Sequence, residues 1–215
     1  LSSHTDRSEI HLLGLYIDHN NAEFQKKLRN FRDDRVEAIR QSVEKLNEFG
    51  IKISWSRVKE LAEGAIGRPH IARAMVEAGD IENPQQAFEK YLGDDGIARV
   101  ERKRLPTISA IELVHQQGGA AVIAHPRTVA ALEKDLPILT DAGLDGIEVF
   151  AERYSENERH RYLDLASRYN LLPCGGSDYH AFGTKDELEP GSINVPGPSM
   201  LVIEEMLLRI GDRAS

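Results

Sequence analysis

From Thr107 onward the chain repeats one pattern, an amphipathic helix followed by a short unbroken apolar run. The helices are expected at Ile108 to Gln117, closed by Gly118-Gly119, at Val129 to Ala142, kinked or broken at Pro137, and at Glu156 to Tyr169, capped by Ser155. They precede the runs Ala121-Val122-Ile123-Ala124, Gly146-Ile147-Glu148-Val149-Phe150 and the strand that opens at Leu171-Leu172; a last helix spans Ser199 to Ile210. A strand that is apolar along its whole length has to be buried on both faces. Helices alternating with such strands therefore predict an α/β fold with parallel pairing.

In sheets of this kind the chemistry gathers at the carboxyl ends of the strands. His125 stands just past the first run, and Asp178 and His180 follow the third. Pro173-Cys174-Gly175-Gly176-Ser177-Asp178-Tyr179-His180 reads as a strand running out into a glycine-bearing loop. On an extended backbone Asp178 and His180, two apart, project together. A carboxylate and an imidazole that converge make half of a metal site. Alone, the octapeptide reads more readily as a surface turn with a polar pair than as a metal site. The repeated placement of His125, Asp178 and His180 at one sheet edge favours ligands.

The first half is less regular. Glu9 to Ile17 reads as a buried strand closed by Asp18-His19-Asn20-Asn21, with His11 a polar residue inside it. Phe24, Leu28, Phe31, Val36, Ile39, Val43, Leu46 and Phe49 form one helical stripe, ended by Gly50. Shorter helices are expected around Val58 to Ala62, after Ser54 or Ser56, and from Pro84 to Leu92. Pro69 suits the first position of a helix through Ala78, which sets Arg68 and His70 at an N-terminus that favours anions. The run Arg99 to Arg104 reads as a solvated loop.

The net charge of −8 argues against adhesion to long nucleic acid or to anionic membranes, both of which need many cations against phosphates. A local phosphate pocket is compatible with it. A single cysteine excludes an internal disulfide framework and fits a reducing compartment, and no apolar run approaches the roughly 20 residues that span a bilayer. A cytoplasmic protein is expected.

Glu9-Ile10-His11-Leu12-Leu13-Gly14, Gly67-Arg68-Pro69-His70, Ile123-Ala124-His125-Pro126, Gly146-Ile147-Glu148-Val149 and Gly175-Gly176-Ser177-Asp178-Tyr179-His180, in that order, resemble the PHP (polymerase and histidinol phosphatase) family. They are closest to its stand-alone metal-dependent phosphoesterases of the TrpH/YciV type. The resemblance implies a distorted (β/α)7 barrel with up to three divalent ions, Mn, Zn or Fe. It implies hydrolysis of phosphate esters: removal of the 3′-phosphate of nucleoside 3′,5′-bisphosphates, or trimming of short RNA from its 5′ end. Residue by residue, His11, His125, Asp178 and His180 would be metal ligands. Arg68, His70 and Arg127 would contact substrate, and His180 or His70 would protonate the leaving group. Residues 1–50 and 105–215 would form the partial barrel, and 51–104 a helical lid bringing Arg68 and His70 to the substrate.

The family's opening His-x-His strand, Asp-His pair and Gly-x-Glu are not found in this sequence, and Leu1-Ser2-Ser3 resembles the residues that follow that glutamate. The sequence is then expected to be a fragment of a longer enzyme. The alternative is a non-catalytic remnant or scaffold with an incomplete metal site. Blander readings stand beside the site: His11 as a hydrogen-bonded core histidine, His70 as a partner of its local backbone, Glu148 as a structurally paired carboxylate and not a ligand, and Cys174 as a small core residue. Tyr179 would stack on a base or simply pack.

Overall fold

The computed structural model describes residues 1–62, 64, 66–93, 95–100, 105–151, 154–179, 188–195 and 199–214. The chain divides into two compact units, Leu1–Asn21 with Arg104–Ser215, and Ala22–Lys103.

The first unit is a five-stranded sheet in the order β1 (Ser2–His4), β2 (Glu9–Leu15), β3 (Ala120–Ile123), β4 (Gly146–Phe150), β5 (Leu172–Gly175). The three strands of the regular half are parallel, as their apolar runs demand. The sheet as a whole is mixed: β1 pairs with β2, and β2 with β3, in antiparallel register. Only the short Thr5-to-Ser8 turn joins β1 to β2, with Thr5 N–H donating to the Ser8 carbonyl at 2.9 Å, and a link that short makes a hairpin.

Among the described residues the first four α-helices of the chain belong to the other unit, and the four that follow belong to this one. Alternation along β3 explains its two coats. Ala121 and Ile123 join Ile10 and Leu12 under the helices α5 (Thr107–His115), α6 (Leu132–Asp141) and α7 (Glu156–Arg168). Ala120 and Val122 point the other way, with Leu172, onto Met206 of α8 (Ser199–Ala214). Side chains two apart face the same side, so His11, Glu148 and Cys174 belong to the face of Val122, opposite the three-helix layer.

Two helices start or end where local chemistry dictates. α6 begins at Leu132, not Val129, because His125 takes a left-handed conformation and Pro126–Thr128 forms a tight 3-10 turn first. α7 starts on a reciprocal cap: the Ser155 hydroxyl accepts the Glu158 N–H, and the Glu158 carboxylate accepts the Ser155 N–H at 2.9 Å.

The second unit holds α1 (Ala22–Glu48), α2 (Trp55–Glu60), α3 (Arg68–Ala78) and α4 (Pro84–Ala87), the last continued by a π-helical turn over Phe88–Leu92. Its core joins Ile39, Val43 and Leu46 of α1 to Ile71 and Met75 of α3 and to Leu92. That packing sets the division between units at Asn21, with α1 beside the short helices. Ser54, not Ser56, caps α2. Among the described residues no helix is long and apolar enough to cross a membrane.

Candidate active site

His11, His125 and Glu148 are linked through His125 near the carboxyl ends of β3 and β4. His11, early in β2, reaches them because β2 runs antiparallel to β3: the Ala124 N–H donates to the His11 carbonyl at 2.9 Å, so His11 lies beside the residue where β3 gives out. His11 Nδ1 lies 2.9 Å from His125 Nε2, with the two rings edge to face.

The Thr128 hydroxyl lies 2.8 Å from His125 Nδ1 and 3.1 Å from the His125 carbonyl, and His11 Nε2 lies 3.2 Å from the Ser2 hydroxyl and 3.5 Å from Glu9 Oε1. Burial, and then the neighbouring His125, hold His11 below the usual histidine value.

Behind this pair lies Glu148, in the middle of β4 and 4% exposed. Its Oε2 accepts the His125 backbone N–H at 2.6 Å. Its Oε1 sits 2.5 Å from where a Cβ on Gly176 would be. Burial raises its carboxyl above the ordinary range, the His125 contacts oppose that, and the Asp178 carboxylate adds to it. Cys174, in register with Glu148 on β5, is raised to about 12 by burial and by the Glu148 and Asp145 charges, so its thiol stays protonated and inert.

Asp178 is exposed, and its φ of 53° is left-handed. β5 ends at Gly175, so strand alternation does not aim Asp178, and the extended backbone expected there is corrected to a left-handed conformation. His180, expected both as ligand and as general acid, lies outside the described residues.

The remaining expected residues sit apart in the chain. Arg127, on the turn after His125, is exposed and pairs with Glu158 Oε1 at 3.2 Å. Arg68 and His70 belong to the second unit, at the start of α3. Arg68 Nη1 donates to the Leu92 carbonyl at 2.9 Å, and its guanidinium carbon lies 6.0 Å from the Phe88 ring centre. His70 Nδ1 accepts the Gly67 N–H at 3.0 Å, closing a cap on the helix.

Sequence reasoning set Glu148 aside. The signal was present, since a carboxylate inside an apolar strand is costly unless something nearby uses it.

The fold and this site define an α/β protein in which two imidazoles meet beside a buried carboxylate where β3 ends; among the described residues no group of three or more His, Cys, Asp or Glu is placed to hold a metal ion. No protein-family model matches the chain. A 5′-3′ exoribonuclease of Haemophilus influenzae is 30% identical over 184 residues, 84% of this chain and 67% of that protein. A 3′,5′-nucleoside bisphosphate phosphatase of Chromobacterium violaceum is 31% identical over 189 residues, 82% of this chain and 64% of that protein. A crystal structure from Bifidobacterium adolescentis, described as a metal-dependent phosphoesterase, superposes with a TM-score of 0.72 at 29% identity and covers 97% of this chain and 74% of its own. The chain spans about two thirds of the length of the curated relatives it matches. It belongs to the PHP family of phosphoric ester hydrolases that these relatives represent.

Proposed function

We propose that this chain carries the strand-end half of a PHP-type, metal-dependent phosphoesterase site, on a sheet that is an arc of the family's distorted (β/α)7 barrel. Its substrates are phosphate esters of small nucleotides: nucleoside 3′,5′-bisphosphates losing the 3′-phosphate, or short RNA trimmed from the 5′ end. The observation that carries this is the 2.9 Å approach of His11 Nδ1 to His125 Nε2 beside the Glu148 carboxylate. Two imidazole nitrogens that close, with bonds of about 2.0–2.1 Å each, can share one divalent ion as neighbouring ligands. The lowered His11 value favours the neutral, ligating form.

His11, His125, Asp178 and His180 would hold Mn, Zn or Fe. A bound divalent ion supplies Lewis acidity at the phosphoryl oxygen and lowers the pKa of a coordinated water to about 7. The protein's own groups do the rest. Arg68 and Arg127 offer forked donors to the substrate phosphate. His70 through its Nε2, or His180 where it holds no metal, delivers a proton to the departing alkoxide. Residues 51–104 act as the lid that brings Arg68 and His70 to the substrate, and the protein works in the cytoplasm.

The test is elemental analysis of the purified chain together with phosphate release from a nucleoside 3′,5′-bisphosphate with and without Mn²⁺. Metal-dependent release that H125A abolishes supports the proposal. Bound metal without turnover would leave the scaffold alternative in its place.

A further inference from the structure

We infer that Glu148 is the positioning residue that holds both ligand-bearing loops in place, one on each oxygen. β4 is the middle of the three parallel strands, between the strand that delivers His125 and the strand that delivers Asp178. A side chain from the middle of β4 is placed to reach both neighbouring loops, and Glu148 has the length to do so. Oε2 takes the His125 N–H at 2.6 Å. This is the residue whose φ of 31° and ψ of 61° lie in the left-handed region that a β-carbon disfavours, a conformation that persists only when its surroundings enforce it. Oε1 packs directly on Gly176, two residues before Asp178, at a spot where any side chain would collide with it. Gly176 in turn donates its N–H to the Phe150 carbonyl at 3.0 Å, which ties the loop back to the same strand.

The arrangement explains why a buried carboxylate is kept in an apolar strand. An apolar residue there would leave the His125 N–H without its acceptor and open a void under Gly176. Glutamine keeps both the length and an acceptor oxygen. Aspartate keeps the charge and withdraws the carboxylate by one methylene.

The inference rests on His11, His125 and Asp178 being ligands, and its test separates the two ideas. Amide hydrogen exchange is followed at His125 and Gly176 in the isotope-labelled full chain, and Mn²⁺ is titrated into the same samples. E148A and E148D are expected to lose His125 protection by about tenfold or more, while E148Q retains it. Mn²⁺ affinity is expected to fall roughly 10–100-fold in E148A, as for other residues that orient metal ligands. Unchanged His125 exchange in E148A and E148D overturns the inference, whatever the metal does. So does equal Mn²⁺ affinity in wild type and E148A. Lost protection in a chain that takes up no Mn²⁺ supports the positioning role and removes the metal reading alone.

Discussion

Asp145 and Glu148 stand three residues apart on one strand and its approach, 2% and 4% exposed, and their surroundings push them in opposite directions. Burial works against Asp145, yet donors outweigh it. His115 Nε2 lies at 2.9 Å and the Ala121 N–H donates at 2.8 Å, both to Oδ2, while Arg213 Nη1 donates to Oδ1 at 2.6 Å, and the carboxyl is held below its usual value. Glu148 has one such donor among the described residues, the His125 N–H, and another carboxylate nearby; it is raised. Asp145 fastens the amino end of the sheet to α5 and α8 and is satisfied. Glu148, in the middle of β4, shares its surroundings with the Asp178 carboxylate, and burial decides the direction of its shift.

The sharpest way to break the comparison is D145N. It leaves Arg213 and His115 without their anion, and is expected to cost about 2–4 kcal/mol, a melting temperature lower by roughly 5–10 °C. Its pH dependence has a definite sign. A carboxyl with a folded-state value below the unfolded one, near 3.9, contributes fully above that value and loses its contribution as pH falls through the folded value. The gap between wild type and D145N should hold from neutral pH down to about 4 and then close; a gap independent of pH would show that the charge is not what matters.

Next in size is G176A, which drives a methyl onto Glu148 Oε1 and should cost about 1–3 kcal/mol by chemical denaturation. The same change in an E148A background should cost less, and an equal cost in both would show that the glycine answers to something else. R213A removes a partner that is one-third exposed, so its penalty should be smaller, about 1 kcal/mol. The pair of Arg213 donors also explains where the loss would appear, in the docking of α8, because Nη2 donates to the Gly119 carbonyl at 3.0 Å.

The smallest expected effect has the opposite sign. E148Q keeps an acceptor for His125 and removes a buried charge, so the metal-free chain should unfold at the same or a slightly higher temperature, a gain of up to about 1 kcal/mol. A loss as large as that of D145N would erase the contrast between the two carboxylates.

Much of the fold was legible because periodicity and caps are local. β4 runs over the predicted Gly146–Phe150, and α7 starts behind Ser155 as predicted, since an apolar run and a capping box require only neighbouring residues. The long helix ends near Gly50, whose φ of 90° a residue with a side chain would resist. The direction of β2 was not legible. An apolar strand reads the same along either direction, and pairing is decided by what brings the chain back to the sheet.

The site divides in the same way. Residue types and their places past strand ends drew attention to His125 and Asp178, and a polar residue inside a strand singled out His11. Their meeting depends on register: Leu12 opposite Ile123 is what carries His11 to the end of β3. Arg68 and His70 show the converse, since contacts within the second unit, to Leu92 and Gly67, occupy part of each side chain that a motif alone would assign to substrate.

The sequence by itself determined the helices and the parallel strands, the chemistry available at their ends and the family to which the chain belongs, because propensity, periodicity and motif order are written in neighbouring residues. Only the tertiary structure decided that β2 is antiparallel, that His125 and Asp178 are left-handed, and that Glu148 lies under both their loops. Those outcomes depend on which oxygen meets which N–H across strands, and residues far apart in the chain state no distance until the sheet closes on its core.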